Sequence, residues 1–519
     1  MATKVCLVLT EETIEGNLQL AKEYEGYYDI LELRVDLLFS NETFYVRKFP
    51  SLVQAPVILT CRRLIDGGKF KDGEGARLTV LAKALAFLDN DYRKNFAYVD
   101  FESDFPSSGL EEAAKAFDIK IIRSLHTFKP LSNIVKEMET IRKTEDDIVK
   151  LATVVPTLPD LAALLLQSPK VKKPYIVSGI GKYGSLSRIF SQRLGSEIVY
   201  TFPAKYIKRN SLQASLIDPI TLNDLYGFKR VGDQPKIYAV TGKDVQKSKS
   251  PLIHNAAFQK QNYSACYVSI SADNFSDVFR FAKKLNVQGL SITAPFKKDA
   301  YEVADVTETV PPELKAINTL VNNNGEWLGY NTDIIGFEKA LLEFLGDKKI
   351  TQQRVAVLGA GGAAEAVCYV LAKLFEQRAK IKKLEPTRRL AEKIRRNYKP
   401  VCIFNRTKTK AEKLAKRFGF DFCTLANTNE TIEKLQEHSS LIINCIMDCS
   451  NSPENISDDP IYFYNFTGTE KVFDLIYEPE RTKLLQRAKT SGCKISNGYQ
   501  MLELQAIEQF KIFTRRNYE

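Results

Sequence analysis

Eight short runs rich in β-branched and other apolar residues recur between residues 4 and 202, and a stretch with helical spacing separates each from the next. They are Lys4 to Leu9, Asp29 to Arg34, Pro56 to Cys61, Phe96 to Phe101, Lys120 to Ser124, Asp147 to Leu151, Pro174 to Ser178 and Glu197 to Phe202. Eight strand-helix units in this length predict a (β/α)8 barrel near the small end of its usual size. Such a barrel gathers its chemistry at the carboxyl ends of its strands.

The rhythm breaks at Asp218-Pro-Ile-Thr-Leu-Asn-Asp-Leu-Tyr-Gly227 and the Gly- and Pro-bearing connection to Pro235, which predicts a domain boundary near residue 230. A new α/β unit starts at Lys236-Ile-Tyr-Ala-Val-Thr241. A second begins at Arg354-Val-Ala-Val-Leu-Gly359-Ala-Gly361-Gly362-Ala363, where an apolar strand runs through a glycine turn into a helix. That turn lets backbone approach a pyrophosphate at a helix N-terminus, as in a Rossmann domain. At 519 residues the chain has room for about three domains at roughly 150 residues each. We expect an α/β protein: a barrel over 1–228, a substrate-binding domain over 236–338 completed by the C-terminal helix in 498–519, and a Rossmann domain over 339–497.

Hydrophobic residues make up 44% of the chain and charged residues 26%, and no apolar run approaches the roughly 20 residues of a membrane span. We expect no membrane partner. The first residues enter a strand-like run almost at once, so the mature domain is expected to begin at residue 1. Nine scattered cysteines suggest reduced thiols and a cytoplasmic setting. With three histidines and no Cys-x-x-Cys pair, no metal site is expected. The net charge of +11 is concentrated around Lys373 to Lys399, which we take as a solvated helical insert. A basic surface suits carboxylate and phosphate substrates, and no nucleic-acid partner is expected.

At the expected strand ends stand Glu32, Arg34, Arg62, His126 and Lys150, with Arg188 and Gln213 after the last two strands. Lys150 interrupts Ile148-Val-Lys-Leu-Ala152. A buried ammonium is costly unless paired, and desolvation would favour the neutral amine, a nucleophile toward carbonyls. His126, one strand earlier, can carry a proton. Leu31-Glu-Leu-Arg-Val-Asp36, Thr60-Cys-Arg62, Ser124-Leu-His-Thr-Phe128, Asp147-Ile-Val-Lys-Leu-Ala152 and Gly184-Ser-Leu-Ser-Arg188 resemble the motifs of type I 3-dehydroquinate dehydratase. The resemblance implies a Schiff base on Lys150, His126 as general acid and base, and Glu32 orienting His126 or the substrate hydroxyls. It also implies that Arg34, Arg62, Arg188 and Gln213 bind substrate, with Arg188 clamping the carboxylate. The Lys208-Arg-Asn-Ser-Leu-Gln213 loop departs from the family's Ser-Ala-Pro-Gly-Gln.

In the second half, Ser248-Lys-Ser250-Pro sets two hydroxyls ahead of a helix. Thr293-Ala-Pro-Phe-Lys297, Ile317-Asn318-Thr319 and Tyr330-Asn-Thr-Asp333 follow. Jointly these resemble shikimate dehydrogenase. The resemblance implies Lys297 and Asp333 as the catalytic pair, and Ser248, Ser250, Thr293, Asn318, Tyr477 and Gln505 around 3-dehydroshikimate. The cofactor set is Gly359, Gly361, Gly362, Ala363, Asn405, Arg406, Thr407 and Lys410. NAD-binding strands usually end in an acid here; Val401-Cys-Ile-Phe404 ends in Asn405-Arg406, followed by Lys408 and Lys410, so NADP(H) is expected. Ala294, Lys315 and Ile334 depart from the family pattern without removing a reacting group.

The fused order is similar to the dehydratase-dehydrogenase of the plant shikimate pathway, which would place a trimmed plant copy in the plastid stroma. Two alternatives are a quinate dehydrogenase in the second half and a non-catalytic metabolite-binding regulator. The regulator would be expected to lose the reacting lysines, and both are present. Oligomeric state stays open.

Overall fold

In the computed structural model, the described residues are 2–85, 91, 94–207, 215–307, 310–346, 349–381, 399–446 and 459–518. They fall into two compact units, Met1–Ile237 with Asn255–Val268 and Ser276–Val287, and Tyr238–His254 with Ser269–Phe275 and Gln288–Glu519.

The first unit contains the expected barrel. Its strands are β1 (Lys4–Leu9), β2 (Ile30–Arg34), β3 (Val57–Thr60), β4 (Tyr98–Glu102), β5 (Lys120–Thr127), β6 (Ile148–Val154), β7 (Tyr175–Ile180) and β8 (Ile198–Thr201). They order as β7-β6-β5-β4-β3-β2-β1-β8. At the seam between the two ends, the Glu197 N–H donates to the Tyr175 carbonyl at 2.8 Å, and the Val177 N–H donates to Ser196 Oγ at 3.1 Å. β5 and β6 run past the expected Ser124 and Leu151, because the ladder continues through His126 opposite Ala152 and Thr127 opposite Thr153. His126 therefore lies within a strand.

Successive strand residues face opposite sides, so each run divides into two sets. Leu7, Leu9, Leu31, Leu33 and Leu59 belong to one apolar cluster with the helices. Cys6, Val8, Ile30, Ile58, Tyr98, Ile122, Ile148, Ile176, Ile198 and Tyr200 form the other, inside the barrel. This parity decides which polar residues share the interior.

In the second unit, β9 (Lys236–Gly242) pairs in parallel with β11 (Gly289–Ile292), and β12 (Thr319–Asn323) and β13 (Glu326–Tyr330) continue antiparallel. Between them in sequence lies β10 (Ala265–Ser271). A parallel six-stranded sheet follows, in the order β16-β15-β14-β17-β18-β19. Its strands are β14 (Val355–Leu358), β15 (Val401–Asn405), β16 (Asp421–Thr424), β17 (Leu441–Asn444), β18 (Lys471–Asp474) and β19 (Lys494–Ser496). Val355, Val357 and Ile403 bury one face, and Ala356, Leu358, Cys402 and Phe404 the other. The order reverses between β14 and β17, the topological switch point where such sheets bind ligands.

The helix Tyr499–Thr514 returns to this unit, with the Tyr238 hydroxyl donating to the Phe513 carbonyl at 3.1 Å. It lies so close to the helix Thr332–Leu345 that a Cβ on Gly336 would meet the Gln505 Cβ at 2.7 Å. Of the basic insert, residues 382–398 lie outside the described residues. Among the described residues, no helix is long and apolar enough to cross a membrane.

Candidate active sites

Two residues beyond several of the apolar interior positions of the barrel comes a polar one: Glu32 after Ile30, Thr60 after Ile58, Asp100 after Tyr98, Ser124 after Ile122, Lys150 after Ile148. A second polar layer thus rests on a greasy floor. Lys150 Nζ donates to Asp100 Oδ2 at 2.7 Å, lies 3.7 Å from Glu32 Oε1, and sits over the Tyr200 ring at 4.0 Å. Asp100 also accepts from Arg62 Nη2 at 3.0 Å and from the Ser124 hydroxyl at 2.5 Å. The lysine is buried and paired.

Burial alone would raise the Asp100 carboxyl, yet Lys150 and then Arg62 outweigh it and hold it well below the usual carboxylate range. Asp100 stays ionised. Burial, reinforced by Arg62 and Lys150, pushes His126 well below the ordinary histidine range. Its Nε2 is 2.7 Å from Arg62 Nη1, a group that can only donate, so Nε2 accepts and Nδ1 carries the hydrogen. The imidazole is neutral and of one tautomer. Burial and then Glu32 push both the Tyr200 hydroxyl and the Cys6 thiol well above their usual ranges.

The remaining residues expected at this mouth divide. Glu32 accepts from the Thr60 hydroxyl at 2.9 Å and lies 3.9 Å from Arg62, with no hydrogen bond to His126 among the described residues. Arg34 forks onto Asp36 at 2.8 and 2.7 Å, and Asp36 also receives the Arg62 N–H at 3.2 Å. Arg188 spends Nη1 on the carbonyls of Gly179, Gly184 and Ser215 at 2.7, 3.1 and 2.9 Å. Its hydrogen bonds go to these carbonyls rather than to the Lys150 cluster, and burial pulls its guanidinium down to about 10. Gln213 lies outside the described residues.

The second unit brings its expected residues together. A cavity of 410 Å³ is lined by Ser248, Ser250, Thr293, Lys297, Asn318, Asp333, Tyr477 and Gln505, contributed by separate loops and helix ends. Lys297 Nζ donates to Asp333 Oδ2 at 2.5 Å, and Asn318 Nδ2 donates to Asp333 Oδ1 at 2.9 Å. Both carboxylate oxygens are engaged. Asp333 stands in the first turn of the helix Thr332–Leu345, where a negative charge is favoured. Ser248 Oγ accepts from the Ser250 N–H at 3.3 Å as the helix Ser250–Lys260 begins.

A further cavity of 470 Å³ is lined by Gly359, Gly361, Gly362, Ala363, Asn405, Arg406, Thr407 and Lys410, with Thr293 and Lys297 common to both cavities. Gly359 has φ of +104°, a conformation that needs glycine. A Cβ on Gly361 or Gly362 would meet no atom within 4 Å, so the start of the helix Gly362–Ile381 is open to a close-lying phosphate. Arg406 and Lys410, past the end of β15, supply cations where an NAD-binding strand has its acid. The residues fit a dinucleotide carrying an additional phosphate. Among the described residues, no cluster suits a metal ion.

The family model for type I 3-dehydroquinase matches residues 5–229, and that for the shikimate dehydrogenase substrate binding domain matches residues 240–320. The shikimate dehydrogenase (NADP(+)) of Caldanaerobacter subterraneus subsp. tengcongensis is 31% identical over 55% of this chain and 94% of its own length. The chain belongs to the shikimate dehydrogenase family, behind a type I 3-dehydroquinase domain. The chloroplastic bifunctional 3-dehydroquinate dehydratase/shikimate dehydrogenase of Arabidopsis thaliana is 28% identical over 98% of the chain and 82% of that protein. The shikimate biosynthesis protein AroDE of Chlamydia muridarum is 29% identical over 80% of the chain and 77% of its own length.

In this 3-dehydroquinase and shikimate dehydrogenase chain, residues missed from the sequence also stand at both sites. Asp100 is the main one at the barrel, and its signal was the parity with Tyr98. At the other site Asp244, Lys247, Ser291 and Gln509 complete the cavity wall. Gln509 could have been found as the residue one helical turn beyond Gln505.

Proposed function

We propose that Lys150 and His126 carry the first reaction, and Lys297 and Asp333 the second, of a chain that is a bifunctional 3-dehydroquinate dehydratase and shikimate dehydrogenase. In the first, the Lys150 amine attacks the ketone carbon of 3-dehydroquinate and water leaves, giving an iminium that draws electrons from the neighbouring carbon. Lys150 must first give up a proton, and neutral His126 on the adjacent strand is a base suited to take it. It returns that proton to the carbinolamine hydroxyl that leaves as water, so the imidazole is neutral again once the iminium has formed. Arg62 covers His126 Nε2 in the free protein. An anionic substrate draws Arg62 away, which frees that nitrogen to remove the proton next to the iminium carbon. The protonated imidazole then returns the proton to the departing hydroxyl, which leaves as water. Hydrolysis of the iminium releases 3-dehydroshikimate.

That product is the substrate of the second unit, where NADPH is the reductant. When bound, NADPH supplies the hydride. Lys297, ion-paired to Asp333, donates a proton to the ketone oxygen. Ser248 and Ser250 receive the carboxylate, and Asn318 and Gln505 the ring hydroxyls. Arg406 and Lys410 hold the cofactor's additional phosphate, the feature that selects NADP(H) over NAD(H). One observation carries this reading: residues from separate segments meet in one cavity, and two of them, Thr293 and Lys297, also border the glycine-turn cavity.

The domain limits 1–228, 236–338 with 498–519, and 339–497 belong to this reading. So does a cytosolic or stromal setting, which the buried free thiols among the described cysteines suit. The test is to supply 3-dehydroquinate with borohydride. Reductive trapping should modify Lys150, whereas a label on another lysine overturns the first mechanism.

A further inference from the structure

Asp333 is only as well placed as Asn318, whose amide hydrogen it accepts, and the direction of that amide is decided elsewhere. The Thr332 N–H, which can only donate, reaches Asn318 Oδ1 at 2.8 Å, and the Thr319 hydroxyl donates to the same oxygen at 2.9 Å. Asn318 Nδ2 is left to face Asp333 Oδ1, and it also reaches Thr332 Oγ1 at 2.9 Å.

Thr319 is itself directed. Its Oγ1 accepts from Gln509 Nε2 at 2.9 Å. The Gln509 amide cannot be reversed, because Nε2 also donates at 3.3 Å to the Asn318 carbonyl, which can only accept; Oε1 accepts the Ser291 hydroxyl at 2.8 Å. Thr319, Asn318 and Gln509 are 0%, 3% and 1% exposed, so a turned-over link would leave buried groups facing their own kind. The three bonds from Gln509 through Thr319 and Asn318 to the carboxylate therefore run in one direction, while Gln505 Oε1 on the same helix accepts from Asn318 Nδ2 at 3.4 Å and from the Thr332 hydroxyl at 3.2 Å.

We propose that Gln509 and Thr319 are positioning residues for the reduction. The Thr332 N–H already sets which way the Asn318 amide faces; Thr319, held by Gln509, adds the second donor that pins that amide against Asp333, and so seats the Lys297–Asp333 pair for proton transfer. The inference rests on the reductase reading above. A purely structural network would stabilise the fold without favouring the chemical step.

Thr319→Val keeps the shape and removes the hydroxyl. In the full chain, kcat for reduction of 3-dehydroshikimate by NADPH should fall about tenfold. The KM for NADPH should stay within about twofold. The dehydration rate of the barrel serves as the internal control and should not change. Thr319→Ser should recover most of the rate. Gln509→Met should lower kcat in the same direction, and the double variant should lose no more than the larger single loss, since both cut one relay.

A Thr319→Ser protein as slow as Thr319→Val, losses that multiply, or an unchanged kcat in Thr319→Val would overturn the inference. If the unsubstituted chain fails to reduce 3-dehydroshikimate with NADPH, the reductase reading falls and takes this inference with it.

Discussion

Lys150 sits at 4% exposure in a strand, where an unpaired ammonium would cost several kcal/mol, and Asp100 at 2.7 Å offsets part of that penalty. Asp100→Asn keeps the shape and deletes the charge, leaving Lys150 and Arg62 only the more distant Glu32 carboxylate, at 3.7 and 3.9 Å. It should destabilise the barrel by about 3 to 5 kcal/mol and cost about a hundredfold in dehydration. Reduction by the same chain should be untouched, and both rates can be read from one preparation. Glu32, Arg34, Arg62, His126 and Lys150 were legible in the sequence because each breaks an apolar run or follows one. Asp100 was not, because Tyr98-Val-Asp-Phe-Glu102 read simply as a strand until the interior parity was known.

His254 makes the stability of the second unit depend on pH. It is buried 5.8 Å from the Phe513 ring, and burial pulls it down to about 3. At and above neutral pH it is uncharged in both the folded and the unfolded chain. As pH falls below about 6.5, the unfolded chain takes up a proton that the folded chain refuses, and stability drops by up to about 1.4 kcal/mol per pH unit. The loss continues down to about 3. Urea midpoints of the second unit should therefore fall between pH 7 and 5, and His254→Gln should flatten that slope. An equally steep slope in the variant would show that another group is responsible.

Among the elements, the contact between the helices Thr332–Leu345 and Tyr499–Thr514 ties the C-terminal helix to the reducing site. A Cβ on Gly336 would lie 2.7 Å from the Gln505 Cβ, 2.9 Å from the Met501 carbonyl oxygen and 3.0 Å from the Gln505 nitrogen. Two of those atoms are backbone, so the helices must part. Gly336→Ala should destabilise the second unit by about 1 to 3 kcal/mol, and it should lower reductase kcat/KM because Asp333 and Gln505 separate. Denaturant melts and steady-state rates check both effects.

The strands themselves were readable from runs of Val, Ile and Leu, and the last helix from its apolar spacing. The lengths of β5 and β6 were not, because the ladder that extends them depends on which strands become neighbours. Nor could local sequence show that Gln509 bonds Thr319, since 190 positions separate them.

At the scale of the whole molecule, two reactions share one chain because the ketone that leaves the barrel is the ketone the second unit reduces. The two chemistries depend on different lysines, and each should be removable alone. The direct test follows NADPH oxidation by Lys150→Ala and by the unsubstituted chain, started once from 3-dehydroquinate and once from 3-dehydroshikimate. Lys150→Ala should oxidise NADPH with 3-dehydroshikimate at the normal rate and not at all with 3-dehydroquinate. Normal oxidation from 3-dehydroquinate by Lys150→Ala would contradict the assignment of the two reactions to different lysines.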